Sequence, residues 1–98
     1  GGFEKVIKCR DLIWIGASSV YIELHTIEGK DLFRTSMNQL ENELPEGFIR
    51  IHRSVILNKE QILKRVYQNN NNYNFHMKNG IVLSSSRSYK PIIMKVLS

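Results

Sequence analysis

What this chain has little of narrows its chemistry first. Cysteine occurs once, at Cys9, so neither an internal disulfide nor a thiolate metal cluster can form, and a reducing compartment is expected. Cys9 falls in an alternating stretch and is expected to be a small buried hydrophobe. The three histidines, His25, His52 and His76, fall on outward strand positions without HxH or HExxH spacing, so no metal site is expected. Serines are plentiful, yet there is no GxSxG elbow and no glycine-rich phosphate loop. The carboxylates Glu23, Glu28 and Asp31 lie near turns in no acid–base spacing. These absences point away from an enzyme and from any cofactor. No apolar run approaches the roughly 18 residues that a membrane helix needs, and no signal-peptide pattern is present, so a soluble cytoplasmic protein without a membrane partner is expected.

Acidic residues are the scarcer charge, 9 against 14 basic ones, and the net charge of +5 favours a polyanionic partner. A length of 98 residues with 42% hydrophobic content suits one small domain with one core. That domain is assigned to residues 3–98, with Gly1-Gly2 read as an expression remnant at a domain boundary.

Periodicity predicts a mainly β chain with short helices. Phe3 to Arg10 alternates imperfectly and is expected as an edge strand blunted by lysines. Leu12 to Ile15 is apolar on both faces, which predicts a central strand covered on both sides. Gly16 to Ser19 is read as a turn into Val20–Thr26, and Glu28-Gly29-Lys30 as a turn into a return strand over Asp31–Arg34. Ser36 with Gln39 fits a capping box for a helix whose Met37, Leu40 and Leu44 share a face, and Pro45 and Gly47 stop it. Its outer face, Asn38, Glu41 and Glu43, is acidic, so phosphate repulsion disfavours it as a groove-reading helix.

Phe48 to Asn58 is the most pointed stretch. Ile49 and Ile51 alternate with Arg50 and His52, then Arg53-Ser54 forms a corner before Val55, Ile56 and Leu57 resume the apolar run. Strands follow at Ile62–Tyr67 and Tyr73–Lys78, joined by the polar Gln68–Asn72 loop, with Tyr73, Phe75 and Met77 facing inward. Asn79-Gly80 predicts a type I′ hairpin into Ile81–Ser84. Ser88 is read as the N-cap of a closing helix with Pro91 in its first turn, and Tyr89, Ile92, Ile93, Val96 and Leu97 as one stripe packed on the sheet.

Two places set an arginine beside small hydroxyl residues at a strand end: His52-Arg53-Ser54, and Ser86-Arg87-Ser88 followed by Tyr89-Lys90. A guanidinium there matches a base edge or a phosphate, while serine hydroxyls and free N–H groups suit backbone phosphates. The turn at Ser18-Ser19 leading to Tyr21 is a third candidate. On residues alone, a solvated loop residue is the favoured reading of Arg53, a solvated cap-region cation is a common reading of Arg87, and Tyr21 reads equally as a cross-strand surface aromatic.

These pieces, with Leu12–Ile15 and Ala17, Tyr21–Thr26, Glu28-Gly29-Lys30, the Leu40–Pro45 helix end, Asn58, Ile62 and Asn79-Gly80, occur in the order and spacing of a known family. The chain resembles the LytTR-type DNA-binding domain of bacterial response regulators over nearly its whole length. The resemblance implies an elongated, multi-sheet β fold that reads double-stranded DNA by loops inserted into successive major grooves. It also implies paired direct repeats, a second protomer on the adjacent repeat, and an upstream receiver domain. It places base contacts on Arg53, Arg87 and the Ser19–Tyr21 region. Candidate phosphate contacts are His52, Ser54, Lys59, Ser86, Ser88 and Lys90. Gly16 and Val55 depart from the family, which often has an acidic residue and an aromatic at those positions. The runner-up reading is a single-stranded nucleic-acid or protein-interaction module, which would need outward aromatics where Tyr73 and Phe75 look inward.

Overall fold

Leu12 to Ile15 does become the segment around which two hydrophobic layers form. In the computed structural model, which describes residues 5–97, β1 (Leu12–Ser18) is the middle strand of a five-stranded antiparallel sheet. Its order is β3 (Gly29–Phe33), β2 (Tyr21–Thr26), β1, β5 (Val55–Asn58), β4 (Phe48–His52). One face carries Leu12, Ile15, Ile22 and Ile56 against Met37 and Leu40 of α1 (Met37–Glu43). The other carries Ile13, Ile49, Ile51 and Leu57 against Phe75, Met77, Leu83 and Ile93. These last four come from a three-stranded antiparallel sheet, β6 (Ile62–Gln68), β7 (Asn72–Met77) and β8 (Val82–Ser84), and from α2 (Lys90–Leu97).

A β-bulge makes the double burial of β1 possible. Pairing with β2 slips between Leu12 and Trp14, so Ile13 and Trp14 both turn to the β7 side while Leu12 and Ile15 face α1. Strands hold 46% of the structure against 26% in helices, and the extents of 51 × 24 × 23 Å are those of an elongated molecule, as expected.

Several expectations give way. Residues 5–8 form no strand and Cys9–Asp11 is a 3-10 turn closed by Asp11 N–H donating to Lys8 O (2.9 Å). Lys5, Lys8 and Arg10 leave this stretch no uncharged face to bury. Cys9 is accordingly exposed, not core. The start of the expected strand, Phe3-Glu4, lies outside the described residues. Gly16 to Ser18 extend β1, and the turn is Ser19-Val20 alone.

At the β7–β8 hairpin only Gly80 takes a positive φ (94°), so the turn is not type I′. Gly80 N–H donates to Met77 O and Met77 N–H to Ile81 O, each at 2.9 Å, which is the longer loop with a glycine bulge. Ser88 is no N-cap: it lies inside a 3-10 turn, Arg87–Tyr89, that runs into α2. The expected stripe is half right, because Tyr89, Ile93 and Leu97 pack on the core while Ile92 and Val96 are exposed. The Ser36 cap holds, its Oγ accepting from Gln39 N–H at 3.1 Å.

Candidate nucleic-acid interface

The Arg53 corner is a two-residue hairpin turn, with His52 paired to Val55. Neither Arg53 nor Ser54 has the positive φ by which tight hairpins normally match strand twist. Other devices hold it. A bulge between Arg50 and His52 twists β4 just before the turn. Ser54 N–H donates to His52 Nδ1 at 3.1 Å, and Ser54 O accepts from Ala17 N–H at 2.9 Å. Arg50 Nη2 donates to Arg53 O at 2.5 Å. Accepting at Nδ1 gives the neutral His52 ring its proton on Nε2, which leaves it a donor at that nitrogen.

The Ala17–Ser54 bond puts the first turn beside this one. Ser18 pairs with Tyr21 across Ser19-Val20, and Ser19 adopts a φ of 56° at the turn's first central position. A non-glycine residue held there stores strain of order 1–3 kcal/mol, a feature common at binding loops. Ser19 is exposed and Tyr21 is 42% exposed.

The late serine segment joins from the other sheet. Ser86 N–H donates to Ile51 O at 3.0 Å, two residues before Arg53, so Arg87 starts next to the same corner. Ser85, which the sequence did not single out, is the anchor. It is buried, its Oγ accepts from Tyr73 N–H at 2.8 Å, and its own N–H donates to Tyr73 O at 2.9 Å. The Ser86 and Ser88 hydroxyls sit 3.3 Å apart.

Three turns from both sheets therefore meet, and they carry Ser19, Tyr21, His52, Arg53, Ser54, Ser86, Arg87 and Ser88. The Arg53 and Arg87 side chains are exposed and have no hydrogen-bond or salt-bridge partner among the described residues. Lys90 differs: its Nζ donates to Tyr67 Oη and Asn71 Oδ1, both at 3.0 Å, over the Tyr67 ring. Lys59 is exposed but lies past the opposite end of β5, its N–H bonded to Gly47 O at 2.7 Å.

Arg50 escaped notice because alternation marks it only as outward-facing. Its partners on α1 lie nine and twelve residues earlier, a pairing no local pattern announces. Of the aromatics of the small sheet, Phe75 is fully buried and Tyr73 packs between Tyr67 and Phe75, while the exposed Tyr67 ring has Lys90 Nζ over it.

Comparison with known proteins gives the family and the fold. The family model described as the LytTr DNA-binding domain matches residues 4–98. The chain is 29% identical over 93 residues to the sensory transduction protein LytT of Bacillus subtilis, covering 94% of this chain and 39% of that protein. The LytT protein of Bacillus anthracis is 28% identical over 93 residues, covering 94% of this chain and 38% of its own length. The solved LytTr DNA-binding domain of a Bacillus cereus response regulator superposes with a TM-score of 0.86 at 26% identity, over 91% of this chain and 83% of that one. The chain thus spans well under half the length of the LytT relatives it matches.

Proposed function

The chain belongs to the LytTr DNA-binding domain family, a DNA-binding and not a catalytic family, and from that premise we propose that it is the sequence-reading module of a bacterial transcription regulator. The observation that carries this reading is the convergence of two exposed guanidinium groups, Arg53 and Arg87, without a partner among the described residues, on adjacent turns tied by backbone hydrogen bonds. An arginine fork fits the O6 and N7 acceptors of guanine in the major groove, and turns held by a rigid sheet present it without a recognition helix.

In this reading Arg53 and Arg87 contact base edges, with Tyr21 and Ser19 supplementing them. His52 through its Nε2–H, with Ser54, Ser86 and Ser88, meets the flanking phosphates. Lys90 and Lys59 add charge at the margins. The reading has loops entering successive major grooves of the duplex. The reading extends to paired direct repeats, each bound by one protomer, and to an upstream receiver domain that controls their pairing. It also carries a cytoplasmic location, and among the described residues no helix is long and apolar enough to cross a membrane.

Affinity for duplex and single-stranded oligonucleotides, measured at two salt concentrations, tests the proposal. One duplex sequence should bind tightest, with affinity falling steeply as salt rises through loss of the phosphate contacts. Equal binding of both forms with no sequence preference would instead favour a single-strand module.

A further inference from the structure

Arg50 lies under the Arg53 turn, and its contacts run in two directions. Nη1 donates to Asn38 Oδ1 at 2.5 Å and to Glu41 Oε1 at 3.1 Å, both on α1, while Nη2 donates to Arg53 O at 2.5 Å. The side chain is only 12% exposed, and its Nε is enclosed with no partner among the described residues. A mostly enclosed guanidinium with one donor unmet is an expensive way to join two surface elements. The arrangement is therefore poorly explained by stability alone.

We propose that Arg50 is a positioning residue for Arg53, fixing the turn against α1 so that the Arg53 fork leaves the surface at one angle. The inference rests on the base-reading role proposed above for Arg53. The physical case is one of geometry. This turn lacks the positive-φ residues that would make it rigid by itself, so its shape depends on what grips its carbonyl and amide groups. His52 and Ala17 grip it at Ser54, and Arg50 grips the carbonyl of Arg53 itself. Glu41 offsets the Arg50 charge, so a second guanidinium can sit three residues from the reader without driving it away. A planar fork reaches α1 and the turn at once, and a lysine ammonium presents its donors from a single point and holds only one side.

The test uses four forms of this chain: the parent, Arg50→Lys, Arg53→Ala and the double variant. Each is titrated against the preferred duplex and against the same duplex changed at the base step that Arg53→Ala relaxes, with thermal melting alongside. Arg50→Lys should lower affinity for the preferred duplex about tenfold and bring the two duplexes closer together, with little further effect once Arg53 is alanine. Equal weakening on both duplexes, an undiminished effect in the Arg53→Ala background, or no effect at all overturns the positioning role. If Arg53→Ala alone leaves the preferred site unchanged, the base-reading role falls first and this one with it. Should Arg50→Lys melt early, Asn38→Ala with Glu41→Ala, both exposed on α1, severs the same link from the helix side. It should narrow the duplex ratio likewise, and an unchanged ratio would overturn the proposal.

Discussion

Gly16 sits on β1 where a Cβ would come within 2.7 Å of Trp14 Cζ3, so the indole lies across the space that a side chain would fill. Trp14 folds back over Gly16 and stacks on His25, centroids 3.9 Å apart and planes at 7°. Gly16→Ala should destabilise the fold by about 1–3 kcal/mol through this overlap, read by thermal melting. The same cross-strand cluster sets a pH dependence. A hydrogen bond from His25, followed by the charge of Lys30, holds the Glu23 carboxyl below its usual range. A depressed folded pKa contributes stability above the unfolded carboxylate pKa and loses it as pH falls through the folded one. The stability gap between the parent and Glu23→Gln should be widest near neutrality and close on acidification, and a gap that widened in acid would contradict this origin. At this scale the exposed placing of Arg53 and Arg87 at strand ends was legible, because a cation among apolar strands or serines stands out. Arg50, Ser85 and the Trp14 fold were not, since each depends on a residue brought near only by the tertiary structure.

Among elements, the strands follow from period-two alternation wherever one face is apolar. Phe48–His52 and Tyr73–Met77 are the plain cases, with Ile49, Ile51, Phe75 and Met77 all buried. The pattern misleads where a face is missing or extra. Residues 5–10 carry charge on both sides and form no strand, the chain instead making a 3-10 turn at Cys9–Asp11, and α2 is covered on one side only, so Ile92 and Val96 stay exposed. Asn58 illustrates a joint between elements that polarity alone disguises as surface. It is 5% exposed at the end of β5, its Nδ2 donates to Leu12 O at 2.8 Å and its Oδ1 accepts from Glu60 N–H at 3.1 Å. Asn58→Ala should lower unfolding free energy by roughly 1–3 kcal/mol by leaving the Leu12 carbonyl buried without its donor. A denaturant titration with unchanged slope would locate that loss in the native state.

The whole molecule is a five-stranded sheet covered on one side by α1 and on the other by a smaller sheet and α2, with its arginine-bearing turns meeting where the two sheets join. Class and elongation were legible from alternation and from the resemblance. The meeting of the turns was not, because it depends on single backbone bonds such as Ser86 N–H to Ile51 O. Those bonds turn two separate arginine motifs into one surface, and the central claim is that this surface reads DNA sequence. Selection of bound duplexes from a random pool, performed with the parent chain and with Arg53→Ala and Arg87→Ala, tests it most directly. The parent should enrich one motif, and each substitution should cost about 1–3 kcal/mol and erase preference at its own base step while sparing the rest. A parent that enriches no motif, or variants that enrich the parent's motif unaltered, would contradict it.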